Sequence, residues 1–381
     1  MTPDRARPRS RRQLPLAAHV LLMVAAALAV LAGLLWLLTS DRTSPLSGAP
    51  TDQIILEVIR LAFYAVAGIG GVIALTVAYR KQRLNEAEAE GERAKLFNER
   101  FAAAADQLAS ERAANRLAGV YAMAALADEW EAGRQTCVNV LCAYMRMPYE
   151  SPPPRAEREA TGMEEFRTVL EERLVRKTVL AVITERLRLK PIPGRTWHEC
   201  AFDFTGATID EGNFDGTLFL GTASFEYTRF PRGSVGFVGA VFHGPVSFKR
   251  SHYSGGRVLF DAAEFDSEAD FSELTVAAGF LNFNRTRFHH RRISFAASVF
   301  SGGKVRFDSC RFVNRANLVF DRGSFTGSDI AFFGLNPEAM EVSFGSITAW
   351  AHPPAFDKAS AALAPDHHRV RRTGQPAAST E

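Results

Sequence analysis

The chain has 381 residues, 47% hydrophobic and 23% charged, a length that suggests about two or three domains. Its net charge of +3 excludes a dedicated nucleic-acid binder, which needs a large basic field. The four cysteines are too few and too scattered for a disulfide framework.

Two apolar runs without charge lie in the N-terminal region, at residues 14–38 and 61–79. As a helix, each run is long enough to cross the ~30 Å hydrocarbon core of a bilayer. The glycines at 68, 70 and 71 favour close helix packing within the second run. A cleaved signal peptide is the alternative for the first run, but the apolar stretch is too long for one. We therefore predict transmembrane helices at 14–38 and 54–79.

The flanking charges predict the orientation of these two helices. Residues 1–13 form a basic N-terminus, and three basic residues lie within 80–83. The connecting loop, residues 39–53, has only Arg42 against two aspartates. Since positive charge stays on the cytoplasmic side, we expect a two-pass hairpin in the inner or plasma membrane. Both termini are then cytoplasmic, the lipid bilayer is a partner, and the cysteines are reduced.

Residues 80–147 predict a juxtamembrane region of short amphipathic helices packed as a bundle. The first helical face is marked by a 4, 3, 4 spacing of apolar residues, namely Phe97, Phe101, Ala104 and Leu108. Similar patterns predict a helix around 117–124, with Leu117, Val120, Tyr121 and Ala124 on its apolar side, and another around 138–145. A Pro-rich linker follows at 148–162. We then expect a helix over 163–190 that caps the next domain. Its apolar side starts with Phe166, Leu170 and Leu174 and continues one position round with Val175, Val179 and Val182.

Large apolar residues recur at steps of five beyond residue 200. The predicted core stack comprises Phe204, Ile209, Phe214, Phe219, Phe225, Phe230, Phe237, Phe242, Phe248, Phe260, Phe265, Phe271, Phe283, Phe288, Phe295, Phe300, Phe307, Phe312, Phe320 and Phe325. The residue two positions earlier is small or β-branched in most cases, as at Ala207, Thr217 and Ala263. On an extended segment both positions share one face. The period matches neither a helix nor a plain strand, and it predicts a coil that turns a corner every five residues.

Two segments show the repeat most clearly, GATID at residues 206–210 and DAAEF at residues 261–265. This pattern resembles the pentapeptide-repeat family, whose unit reads roughly A-[DN]-[LF]-x-x. The resemblance implies a right-handed quadrilateral β-helix of roughly five coils over residues 199–335. We expect residues 336–350 to form a C-terminal cap and residues 351–381 a disordered tail. The complete layout resembles actinobacterial membrane proteins with pentapeptide repeats.

A search for chemistry in the sequence yields no catalytic set. Cys137 and Cys142, five residues apart on a helix, lie on different sides, which indicates buried structural thiols rather than a zinc site. The acidic residues within 266–273 lack the glycine and glutamate spacing of a calcium loop. The HHRR segment at 289–292 could be an anion site, but an exposed corner is the favoured interpretation. We therefore expect no enzyme activity, no cofactor and no metal site.

These patterns predict a membrane-anchored, non-enzymatic scaffold that presents its solenoid to an unidentified protein partner. Homo-oligomers are a possible assembly, because glycines in the second span favour helix contact. One alternative is a membrane-linked sensor that acts through the juxtamembrane helices. Another is a DNA mimic, since some pentapeptide-repeat proteins imitate duplex DNA and bind topoisomerase. A mimic needs an acidic rod, whereas residues 199–335 carry 15 acids and 14 bases, and we expect no nucleic-acid partner.

Overall fold

The computed structural model describes residues 51–153, 163–190, 192–313 and 315–365, with five isolated positions between 25 and 36. The chain divides into two compact units, Met1–Leu96 and Phe97–Glu381. The helices are α1 (Thr51–Leu108), α2 (Ala113–Glu129), α3 (Arg134–Arg146) and α4 (Met163–Arg186). A short 3-10 turn, Glu131–Gly133, separates α2 from α3.

The predicted membrane segments differ in how far the structure describes them. The span at 14–38 lies outside the described residues, apart from the isolated positions. The span at 54–79 falls within α1, which continues without a break at residue 79. Within the part of the chain that the structure describes, no helix combines the length and the apolar character needed to cross a bilayer. The transmembrane hairpin is therefore unsupported by the structure and stays a prediction from sequence.

The end of α1, with α2 and α3, forms a bundle around a common apolar core. Ala104 and Leu108 of α1 are buried together with Val120 of α2. The closest approach is at Gly119, where a Cβ atom would lie 2.7 Å from the backbone nitrogen of Leu108. A glycine at this position therefore lets the two helices touch through their backbones. Tyr121, assigned by its spacing to the apolar side of this helix, is instead exposed.

Helix α4 joins this bundle to the solenoid, and the structure buries only the second part of its predicted apolar side, Val175, Val179 and Val182. Val175, Val179 and Ile183 are fully buried, whereas Leu170 and Leu174 are 40% and 52% exposed. The buried side is the one that faces α2 and the first coil, because both lie against it. The helix ends at Arg186, and residues 187–189 continue as an extended segment.

Short parallel strands form the walls of a four-sided solenoid. The first face consists of Phe202–Asp203, Ala223–Ser224, Val246–Ser247, Ala269–Asp270, Arg292–Ser294, Ala316–Val319 and Met340–Ser343. The second and third faces join into one sheet, because two long strands run around the corner between them. These faces consist of Gly212–Asn213, Arg229–Phe230, Ser234–Gly236, His252–Leu259, Thr275–Asn282, Val299–Phe300, Lys304–Arg306, Ser324–Phe325, Asp329–Phe332, Ala349–Trp350 and Ala355–Phe356. The fourth face consists of Leu218–Phe219, Val241–Phe242, Glu264–Phe265, Arg287–Phe288 and Arg311–Phe312.

The seven strands of the first face define six turns of the solenoid, one more than the sequence suggested. The stack also extends beyond residue 335, since strand Ala355–Phe356 pairs with Asp329–Phe332. Residues 336–350 therefore belong to the coils, and the predicted tail from residue 351 begins with ordered structure. The physical reason is the ring of Phe356, which stacks on Phe332 with centroids 5.1 Å apart. Residues 366–381 lie outside the described residues.

Two kinds of corner alternate around each coil. Strands of the first and third faces lead into an inward-facing Phe, such as Phe225. The residue two positions beyond that Phe has a positive φ, for example 55° at Tyr227. The corner closes with a hydrogen bond from the Thr228 N–H to the Phe225 carbonyl (3.3 Å). A side chain in this left-handed conformation costs about 1–2 kcal/mol, which the stacking of each coil offsets. The other corners hold the insertions, and at Gly233 a Cβ atom would lie 1.8 Å from the Asp210 carbonyl oxygen.

Aromatic rings fill the interior of the solenoid. All twenty positions of the predicted core stack are buried. In one column the rings of Phe237, Phe260, Phe283 and Phe307 stack nearly parallel, with centroids 4.9 Å apart. Buried hydroxyls satisfy backbone carbonyls of the coil below, as when Thr286 Oγ1 donates to the Phe260 carbonyl (2.7 Å). The interior is thus a packed core in which hydroxyls such as that of Thr286 are hydrogen-bonded.

Buried thiols make a first testable prediction. All four cysteines are free and buried. Burial raises the pKa of Cys137 to about 11 and that of Cys142 to about 12. Since the thiolate is the reactive form, we expect no labelling by a maleimide dye at pH 7.5 in the folded chain. The same measurement in 8 M urea, a condition on the order of those that unfold small domains, should label four thiols. Rapid labelling of Cys142 in the folded chain would contradict the burial of α3 against the first coil.

Candidate interaction surface on the fourth face

The fourth face is covered at its N-terminal edge. The extended segment after α4 runs antiparallel to strand Leu218–Phe219. The Leu218 N–H donates to the Leu187 carbonyl (2.6 Å), and the Leu189 N–H donates to the Gly216 carbonyl (3.0 Å). This segment occupies the hydrogen-bonding groups that an edge strand would otherwise expose.

The C-terminal edge of the same face is open. Strand Arg311–Phe312 is the last of the five strands. The Arg311 N–H donates to the Thr286 carbonyl (2.9 Å), and the Val313 N–H donates to the Phe288 carbonyl (3.1 Å). The carbonyls of Cys310 and Phe312 accept no hydrogen bond from any residue that the structure describes. They are therefore available to backbone donors of another chain.

A turn replaces the strand that would complete this face. The Ala339 N–H donates to the Asn336 carbonyl (3.1 Å), and the Glu338 N–H donates to Asn336 Oδ1 (3.1 Å). Pro337, between Asn336 and Glu338, has no N–H to donate to a neighbouring strand. The proline and the side-chain hydrogen bond of Asn336 thus favour a turn where the sheet would otherwise continue.

A cleft of about 740 Å³ lies beside the open edge, and three arginines line it, Arg285, Arg287 and Arg311. Arg287 and Arg311 are direct partners in adjacent strands, a like-charge pair that destabilises the sheet. Arg287 donates to the Glu264 carboxylate. Arg285 and Arg311 form no ion pair with the residues that the structure describes. The cleft therefore holds more positive charge than its surroundings neutralise.

The acidic group that interacts with Arg285 is held by other contacts. Asp261 accepts a hydrogen bond from Asn282 Nδ2 (2.7 Å), and burial raises the pKa of this carboxyl. The side chain of Asp261 is thus held by Asn282 rather than by an ion pair with Arg285. Arg285 itself is exposed at a positive-φ corner and can reach toward a ligand in the cleft.

Histidines and carboxylates form a cluster nearer the middle of the fourth face. Asp266 directly follows strand Glu264–Phe265, and His243 and His289 occupy the equivalent positions one coil before and one coil after. His243 Nδ1 contacts the Asp266 carboxylate, and His289 Nε2 lies 3.6 Å from Asp266 Oδ1. One donor atom each of Glu264, Asp266 and His289 lies within 4.8 Å of the others. Such a set of nitrogen and oxygen donors can hold a metal ion.

The residues singled out from the sequence and those at this surface are different sets. The residues of the predicted core stack are buried inside the solenoid. They support the fourth face from within and are not accessible on its surface. From the sequence, His289 was expected in an exposed corner and Asp266 in an acidic segment without calcium-loop spacing, and no local pattern connects the two. The coil length connects them, because residues about 23 positions apart in the sequence lie side by side in adjacent coils. The arginines of the cleft follow the same rule.

Comparison with known proteins gives one match. The family model described as Pentapeptide repeats (9 copies) matches residues 204–252, which form the first two coils. No curated protein and no solved structure matches the chain. The matched residues carry the corner geometry and the Phe stack that continue through residue 356. On these grounds the solenoid of this chain is a pentapeptide-repeat domain.

Proposed function

We propose that this protein is a non-enzymatic interaction scaffold whose open fourth-face edge binds an extended, acidic segment of a partner protein. The observation that carries the proposal is the unpaired edge of strand Arg311–Phe312 beside three arginines. A solenoid whose interior is filled by side chains offers its exterior for recognition.

Both halves of the site require the same kind of ligand. The free carbonyls of Cys310 and Phe312 accept hydrogen bonds, so the ligand must supply backbone N–H groups in an extended conformation. The arginines require acidic side chains, because a carboxylate between Arg287 and Arg311 relieves their mutual repulsion. An added strand with alternating acidic and apolar residues meets both conditions.

The first test uses a defined probe, a fluorescent hexapeptide of alternating glutamate and valine, with the full chain. We expect saturable binding that weakens as the salt concentration rises. The matched control is the same peptide N-methylated at alternate residues, which removes the backbone donors but keeps the charge. We expect it to bind at least about fivefold more weakly. Equal binding of the two peptides would contradict strand addition at this edge.

The second test reverses the charge of the cleft with Arg285→Glu and Arg311→Glu together. We expect affinity for the unmethylated peptide to fall at least about tenfold, because both substitutions place a negative charge against its carboxylates. The control is Arg229→Glu with Arg322→Glu, which makes the same change in net charge on exposed arginines of other faces. An equal loss in both double variants would indicate non-specific attraction and would contradict a site in the cleft.

We also propose that residues 14–38 and 54–79 anchor this scaffold in the membrane, with both termini in the cytoplasm. The uncharged apolar runs and the basic residues on either side of them support this part. The test is alkaline carbonate extraction of membranes from cells that express the full chain. We expect the protein to stay in the membrane pellet, and a variant lacking residues 1–80 to be released. Release of the full chain would overturn the anchoring.

A further inference from the structure

We infer that Glu264, Asp266 and His289 form a binding site for a first-row divalent metal ion, with zinc as its best-matched occupant and His243 as the neighbour that orients Asp266. The site lies on the fourth face, and two adjacent coils contribute its ligands. It is distinct from the peptide cleft proposed above, which lies beside the last strand of the sheet, and Arg287 of that cleft donates to Glu264.

The first argument is the composition of the donor set. One imidazole and two carboxylates are ligands that zinc accepts in proteins, with a water molecule as the fourth, and His243 contacts the Asp266 carboxylate from the preceding coil. With neutral imidazoles the cluster has a formal charge of −2, which a divalent cation neutralises. Each carboxylate has two oxygens, so Glu264 can keep its hydrogen bond from Arg287 while its other oxygen binds the ion.

The second argument is geometric. Donor atoms of a tetrahedral zinc site lie about 3.3–3.6 Å apart, given zinc–ligand distances of about 2.0–2.2 Å. The atoms of Glu264, Asp266 and His289 lie within 4.8 Å of one another, so they need to close by about one ångström. These side chains are partly exposed and can make that movement by small rotations. The backbone of the stacked coils already holds them on one face.

The third argument is an unpartnered donor atom. His289 Nε2 is shielded from solvent and has no hydrogen-bond partner among the described residues. The nearest carboxylate oxygen, 3.6 Å away, is beyond hydrogen-bond distance. Shielded polar atoms are nearly always satisfied in native proteins, and a ligand is one way of satisfying them. The unpartnered nitrogen thus points into the same carboxylate cluster that would hold the ion.

An ion at this site cross-links adjacent coils of the solenoid. An ion bound by residues of two adjacent coils stabilises the folded state, because the unfolded chain does not bring these groups together. We expect free zinc at about one hundred times its Kd to raise the melting temperature by about 5–10 °C.

The experiment is calorimetric titration of the metal-free full chain with zinc, together with thermal melting. We expect one zinc per chain. Asp266→Asn and His289→Gln should each weaken binding at least about tenfold and abolish the rise in melting temperature. The matched controls are Asp270→Asn and His252→Gln, which remove the same groups from other faces and should bind as the unaltered chain does.

Cobalt(II) supplies an independent readout of the site. We expect visible d–d absorption typical of nitrogen and oxygen ligands, absent from Asp266→Asn. The inference is overturned if zinc does not bind, or if the cluster variants and control variants lose affinity equally. Melting without metal should be similar in all four variants, because the changed side chains are on the surface. That comparison separates loss of the site from loss of the fold.

Discussion

Phe283→Asp should abolish the cooperative unfolding of the solenoid. The ring of Phe283 stacks on Phe260 and on Phe307, with centroids 4.9 Å away in both cases. It also makes edge contacts with Phe271 (5.2 Å) and Phe295 (5.7 Å). Truncating a buried Phe costs about 3–5 kcal/mol, and placing a carboxylate there adds its desolvation.

This prediction depends on the solenoid being held together by contacts between neighbouring coils. A defect in the middle of the stack separates the coils on its two sides, so the single unfolding transition should broaden or split. The measurement is circular dichroism during urea unfolding. The control is Phe333→Asp, the same substitution at a phenylalanine that is 39% exposed, which should change stability by less than about 1 kcal/mol. A single, unshifted transition in Phe283→Asp would disprove the proposed core.

Asp128→Ala should be the most damaging substitution in the helical cap. Both oxygens of Asp128 accept hydrogen bonds from Arg186, at 2.7 Å for Nη2 and 2.9 Å for Nε. Oδ1 also accepts from the indole N–H of Trp197 (2.9 Å). The side chains of Arg186 and Asp128 are only 12% and 11% exposed. One carboxylate thus ties α2, α4 and the start of the first coil together.

The expected cost is about 3–5 kcal/mol, because removing one partner leaves a buried guanidinium without its carboxylate. The adjacent residue provides a matched control. Glu129 pairs with Arg100 on the surface, where the side chains are 56% and 43% exposed. We expect Glu129→Ala to cost less than about 1 kcal/mol. Urea unfolding of both variants makes the comparison. Equal effects would show that the buried ion pair does not hold the cap to the coil.

The five-residue period of large apolar side chains was sufficient to predict the interior of the solenoid. A ring at every fifth position can be buried only if the chain turns a corner between rings, so the pattern carries the local geometry. The number of coils was harder to obtain. Coil length varies from 21 residues between Phe202 and Ala223 to 25 between Ile293 and Leu318. The coils near the C-terminus match the repeat weakly, so the five-residue period did not predict them. The coil that ends at Phe356 is an example.

Which residues share the exposed fourth face could be predicted only from the register between coils. His243, Asp266 and His289 belong to three different stretches of sequence, and only the pairing of strands places them side by side. The same holds for Arg287 and Arg311, since a shift of one residue would move either side chain to the opposite side of the wall. The contacts of Asp128 with Arg186 and Trp197 span 58 and 69 residues along the chain, and no local pattern encodes them.

The amino-acid sequence was enough to establish that this chain builds a Phe-filled solenoid from pentapeptide repeats, because burial of large side chains follows directly from their spacing. Tertiary structure decided which groups share the fourth face and which strand edge stays open. Those features depend on coil lengths, on Pro337 ending a sheet, and on side chains one coil apart. Hydrophobic periodicity is a local property of the chain, whereas the chemistry of a solenoid face is the product of stacking.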